Sequence, residues 1–186
     1  MAQFHGYVVI PHNTYLAWKN ATLNNSYDVD NFPVSQPYQC WDFTAEFWNN
    51  VGFPQNYPLT GGDDAKGVWT QRFNNISYNG VQYFDLVTSK ESIKKGDVIV
   101  FNPSGWIGET GHIAFADENY NGTDNIACLG QNQSNHAYVD VQTINLSSFA
   151  GAFRYREWEQ PSPTPSSTRR SKFPWVLYAR QLRNKY

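Results

Sequence analysis

The chain offers two cysteines and four histidines as thiol nucleophiles and neutral-pH bases. A thiol does nucleophilic work when its thiolate is favoured and a base stands within hydrogen-bond reach. The residues around Cys40 supply the first condition. Apolar side chains fall at Cys40, Phe43, Phe47, Trp48 and Val51, the spacing of one helix face. Pro37 sits just upstream and Gly52 just downstream, a helix start and stop. Cys40 is thus predicted in the first helical turn, where the positive end of the helix dipole lowers a thiol pKa. The base is sought among His5, His12, His112 and His136. His112 opens an apolar run behind Gly111, among few other polar groups. A third group must orient the imidazole, as Asp or Asn does in known triads. If residues 126–132 stay extended, Cys128, Gly130 and Asn132 share one face, and Asn132 stands beside His112 on the neighbouring strand. By spacing alone, a helical Cys is as readily a small buried hydrophobe and a strand His a structural residue, so the residues leave both readings open.

Helices come first in the chain and strands later. A short helix is predicted over residues 14–20, capped by Asn13 or Thr14, then a polar loop over 20–39, then the helix from Cys40. Strands are predicted over 97–101, 112–116, 126–129, 137–141 and 151–155, where β-branched and apolar runs are separated by short turns. This is an α+β protein, with N-terminal helices packed on an antiparallel sheet.

Composition bounds the alternatives. The 186 residues suffice for one domain plus a tail. Aromatics reach 17%, which excludes a disordered body. Charged residues are 16%, too few for a coiled coil. No apolar run has the roughly 20 residues of a membrane span, and residues 1–6 lack the basic and apolar regions of a signal peptide. Without one the chain is expected in a reducing cytosol, with Cys40 and Cys128 unpaired. Neither has a close Cys or His neighbour of zinc-site spacing. The formal net charge is −2, but residues 161–186 carry six basic residues and no acid, so the body to residue 160 stands at −8. Such a body is a poor nucleic-acid ligand. The predicted division is a body over 1–158, a Pro/Ser/Thr linker over 159–172, and a basic, apolar tail over 173–186.

Several short motifs occur in a set order. They are Gln39-Cys40-Trp41-Asp42, Leu59-Thr60-Gly61-Gly62-Asp63-Asp64-Ala65-Lys66, Lys95-Gly96-Asp97-Val98-Ile99-Val100-Phe101, Gly111-His112-Ile113-Ala114-Phe115, Leu129-Gly130-Gln131-Asn132 and the closing Phe149-Ala150-Gly151-Ala152-Phe153-Arg154. This order resembles the CHAP domain (cysteine, histidine-dependent amidohydrolase/peptidase) of bacteriophage lysins, from about Asp28 to Tyr155. The resemblance implies a papain-like fold and a peptidoglycan hydrolase, either an N-acetylmuramoyl-L-alanine amidase or an endopeptidase. It implies Cys40 as nucleophile, His112 as general base and Asn132 as the third member, since Gly130 stands where the family often has a Glu. Asp117 and Glu118 rank below Asn132 for that role. Gln131 is expected to be structural. The Cys40 N–H is the first expected oxyanion donor and the Gln39 side chain the second. Trp106 is expected at the substrate groove.

The resemblance also implies a calcium site at Asp28, Asp30 and Asp42, although the intervening loop is longer than the family's; the plainer reading is an Asx turn and a helix-capping acid. The expected partners are peptidoglycan and, through 173–186, phage tail proteins. The expected location is a virion tail, or host cytoplasm followed by release to the wall. The competing reading is a catalytically idle virion or wall-binding adaptor on the same body, which the Gly at 130 favours.

Overall fold

The computed structural model describes residues 14–30, 38–62, 64–134 and 136–158, and of Trp106 the backbone only. The predicted linker at 159–172 and tail at 173–186 lie outside the described residues, as do His5, His12, Asn13, Pro33, Pro37 and Asp63.

Helix α1 spans Tyr15–Thr22 and starts where the extended Thr14 turns its side chain to accept the Ala17 N–H at 3.2 Å. It buries Tyr15 and Trp18. Helix α2 spans Cys40–Asn50, and Asp42 closes its first turn by accepting the Gln39 N–H at 2.7 Å. Phe43, Phe47 and Trp48 face inward as their spacing predicts. Two short helices, α3 (Ala65–Thr70) and α4 (Arg72–Asn75), follow; neither was predicted, because one or two turns give no readable period. Asp64 caps α3 by accepting the Gly67 N–H at 2.7 Å.

A small hairpin pairs β1 (Ser77–Tyr78) with β2 (Val81–Gln82). The main sheet contains β3 (Phe84–Val87), β4 (Val98–Phe101), β5 (His112–Ala116), β6 (Asn125–Gly130), β7 (Asp140–Asn145) and β8 (Phe149–Tyr155). It is six-stranded and antiparallel, in the order β3-β8-β4-β5-β6-β7. The α+β expectation holds. One strand is displaced: the stretch predicted over 137–141 begins at Asp140 and runs to Asn145. Val139 instead exchanges backbone bonds of 2.8 Å with Asn24 and Asn25, so the segment before it belongs to a turn that clasps the N-terminal loop.

The core between helices and sheet is aromatic. Trp48 stacks on Phe84 at 4.3 Å, and Phe47 packs edge-on to Phe115 and face-on to Trp158. Each such pair adds roughly 0.5–1.5 kcal/mol beyond area burial. The buried Asp97 at the head of β4 pairs with Arg154 of β8 at 2.7 Å and accepts the Lys94 N–H at 2.8 Å, which ties the Lys95-Gly96-Asp97 turn to the closing strand. No helix among the described residues is long and apolar enough to cross a membrane.

Candidate active site

The N-terminus of α2 meets the head of β5. The Ile113 N–H faces the Cys40 sulfur, as do the N–H groups of Trp41 and of Cys40 itself. Cys40 and His112 line one cleft of about 260 Å³, with Gln39, Ile107, Thr110 and Asn132 around them. The cleft thus brings together the two residues that the sequence had paired. Cys128 is buried in β6 and, like Cys40, is a free thiol.

His112 is the first residue of β5, opposite Phe101 of β4, and is 4% exposed. The chain enters it through Gly111 at φ +77°, where a Cβ would lie 2.5 Å from the Phe101 carbonyl oxygen. Only glycine meets both demands. Lys66 holds the preceding loop: its backbone N–H donates to Thr110 O and its Nζ to Glu109 O, both at 3.0 Å. Lys66 thus anchors the loop that leads into His112 from a distant part of the chain.

The amide that faces His112 is not the expected one. Gln133 Oε1 lies 3.4 Å from His112 Nε2. The sequence had placed Asn132 beside His112; among the described residues it is Gln133 whose amide oxygen faces the ring. Strand β6 ends at Gly130, and Asn132 adopts φ +58°, so the alternation assumed through residue 132 breaks. The turn leaves Asn132 exposed at the cleft and carries Gln133 inward, where it is fully buried. Strand alternation could not have shown this; a run of three amides interrupted by a residue tolerant of the left-handed region was the available signal. Asp117 is engaged by Tyr15, Lys19 and Lys95, and Glu118 accepts the Ala127 N–H, so both are structural.

Electrostatics also differ from expectation. Burial pushes the Cys40 thiol up to about 11, against the Ile113 N–H and the helix-start N–H groups that favour its thiolate. Burial pushes His112 down to about 4, with the Gln133 contact opposing. Desolvation disfavours both charged forms, so burial opposes the thiolate that the helix start was expected to favour.

Gln131 is structural, as expected. Its Oε1 accepts the Tyr27 N–H at 2.7 Å, and its Nε2 donates to Tyr27 O and Gln39 O. It fastens the N-terminal loop to the start of α2. On that loop, Asp28 and Asp30 converge with Asp42, with ligand oxygens all within 4.8 Å of one another. Burial, with Asp30 and Asp28 adding, pushes Asp42 up to about 6, although the Val29 and Gln39 N–H groups pull it down. Three convergent carboxylates are a hard-cation donor set. Gln39, expected as an oxyanion donor, lines the cleft. The Trp106 backbone lies in the turn Gly105–Ile107 before His112, and the neighbouring Ile107 lines the cleft.

The profile described as CHAP domain matches residues 17–132. Among solved structures, the chain is similar to a wild type endolysin, LysIME-EF1, at 19% identity and TM-score 0.57, covering 76% of this chain and 62% of that one. It is similar to Ly7917 at 16% identity and TM-score 0.51, covering 78% of this chain and 63% of that one. The chain therefore spans less than two thirds of the length of either, and the likeness is one of fold. No curated protein matches it.

Proposed function

The chain belongs to the CHAP domain family, and on that premise we propose that it is a peptidoglycan hydrolase that cuts an amide bond of the wall peptide with Cys40 and His112. The observation that carries this reading is the shared cleft, which presents a helix-start sulfur and a buried imidazole to one open space.

The proposed chemistry starts from a thiol and an imidazole whose charged forms burial disfavours. As the Cys40 sulfur attacks the carbonyl carbon, His112 takes the thiol proton, so a free thiolate need not accumulate. The C=O electrons move to oxygen, and the backbone N–H of Cys40 and the Gln39 side chain are the donors proposed to receive it. Collapse breaks the C–N bond, and His112 returns its proton to the leaving amine. Water, deprotonated by His112, then hydrolyses the thioester. A cleft of about 260 Å³ suits a short peptide segment. Asn132 lines it with a substrate-facing amide.

Asp28, Asp30 and Asp42 would hold a calcium ion. Calcium there would neutralise convergent charge and fix the loop that Gln131 ties to α2; it takes no part in bond cleavage. In this proposal the setting is a phage lysin, in line with the endolysin likeness. It acts on release from host cytoplasm, or from the virion tail with residues 173–186 as docking segment.

Dye release from purified cell wall tests the reading. Wild type is expected to release dye, and Cys40→Ser to lose at least about a thousandfold while keeping its circular dichroism spectrum. Wild type as inert as Cys40→Ser would overturn it in favour of an idle adaptor. Mass spectrometry of the products distinguishes amidase from endopeptidase cleavage.

A further inference from the structure

The amide that faces His112 is neutral, and a carboxylate stands behind it. Gln133 is fully buried, so both ends of its amide need partners. Its Nε2 donates into a cluster of acceptors: Cys128 O at 3.2 Å, Gly130 O at 3.3 Å, Asp140 O at 3.1 Å and Asp140 Oδ1 at 3.2 Å. Turning the amide over would set its oxygen against these four oxygens, so the network fixes which atom faces His112. Asp140 is itself held. Its Oδ2 accepts from Gln142 Nε2 at 2.6 Å and lies 2.7 Å from His136 Nδ1. The His136 ring stacks on Tyr138 at 5.0 Å and 9°.

The backbone makes room for this arrangement. A Cβ at Gly130 would lie 3.0 Å from Gln133 Cδ, 3.1 Å from its Oε1 and 2.9 Å from Ala114 Cβ. The Gln133 amide occupies the space that a side chain at 130 would take.

Resting on the hydrolase reading for its catalytic meaning, we infer that Asp140 and Gln133 form a positioning relay: Asp140 locks the Gln133 amide with its oxygen toward His112, and that oxygen holds His112 in the Nε2–H tautomer. An acceptor at Nε2 requires the ring hydrogen to sit there. The basic lone pair is then on Nδ1, the nitrogen that must take the thiol proton. Both are positioning residues, because they act through His112. At 3.4 Å the Gln133–His112 contact is long for N–H···O, and it shortens when positive charge develops on the ring.

Side-chain nitrogen-15 NMR on the full chain at pH 7, paired with wall-digestion kinetics, tests this. Wild type is expected to show the Nε2–H signature at His112. Gln133→Met keeps the length and removes the acceptor; it is expected to give a mixed tautomer and a kcat lower by about tenfold or more, with KM within about twofold. Asp140→Asn leaves Gln133 in place and loosens its lock, with an expected kcat loss of about three- to tenfold and a partial tautomer shift. Asn132→Ala is expected to leave the tautomer unchanged. An Nδ1–H signature in wild type overturns the relay without any variant. So does a Gln133→Met protein with the wild-type tautomer and kcat. The two readings fail separately. A wild type that shows the Nε2–H signature but digests no wall loses the hydrolase reading and keeps the relay, whereas one that digests wall with Nδ1–H loses only the relay.

Discussion

The backbone N–H of Ile113 faces the sulfur of Cys40, so the proposed nucleophile meets the sheet one residue beyond its proposed general base. Helix α2 and strand β5 meet at the cleft where the proposed chemistry would take place. That closeness to the sheet has an electrostatic consequence. It supplies a donor to a developing thiolate, yet it also removes water, and the loss of water dominates for both partners. Burial thus disfavours the charged form of each, and in the proposed reaction charge develops during attack.

The pH dependence of activity follows. His112 stays an unprotonated base down to about pH 4, so wall digestion is expected to persist through pH 5.5 and to lose half its rate near pH 4. Initial rates of dye release between pH 4 and 8, on wall pre-equilibrated at each pH, check this. Half-loss near 6.5, the ordinary histidine value, would show that His112 is not desolvated in the free enzyme.

Stability carries the same signature with a definite sign. The folded-state pKa of His112 lies near 4, below the roughly 6.5 of the unfolded chain. The unfolded state then binds more protons between those values, so the contribution is complete above about pH 6.5 and is lost as pH falls toward 4. The amount at stake is on the order of 3 kcal/mol. Asp42, raised to about 6, works in the opposite sense, so the wild-type Tm alone understates the effect. The Tm of His112→Gln relative to wild type is expected to rise between pH 7.5 and pH 4.5. A constant difference would contradict the buried neutral imidazole.

Gly111→Ala probes the hinge into β5. Positive φ and a carbonyl 2.5 Å from the new Cβ set a cost of about 2 kcal/mol or more. Strand β5 must shift to relieve it, and His112 shifts with it. At a temperature well below the variant's Tm, activity is expected to fall by about tenfold or more, read from dye release alongside thermal melts. A variant that melts lower but digests at the wild-type rate would show that the strain relaxes away from His112.

The sequence disclosed the nucleophile helix because its side chains at 43, 47 and 48 repeat with helical period, and it disclosed β4 and β5 because both are short apolar runs bounded by turns. The amide that faces His112 was hidden. Its position depends on a left-handed turn at Asn132, and strand alternation carries no information past the point where the strand stops. The displaced start of β7 has the same origin, since Val139 is claimed by Asn24 and Asn25, more than a hundred residues away in the chain. The raised thiol pKa was equally hidden: a helix start can be read from spacing, whereas the burial that outweighs it is a property of the assembled fold.

The acid cluster yields a prediction about metal. Asp42 is buried with its oxygens already accepting the Val29 and Gln39 N–H groups, and Asp28 and Asp30 bring further charge to within 4.8 Å. Without a cation these groups repel one another across a loop that Gln131 ties to the start of α2. A cation that binds only the folded chain stabilises it by about 2.7 kcal/mol at a hundred times its Kd, which for a domain of this size raises Tm by about 5 °C or more. Calcium added to chelator-stripped protein is expected to produce that rise. Asp30→Asn is expected to abolish the response while leaving the calcium-free Tm equal to wild type or slightly above it, because one repelling charge is gone. Should calcium leave the wild-type Tm unchanged, the three carboxylates are a capping and turn arrangement, and the loop is held by Gln131 and the backbone alone.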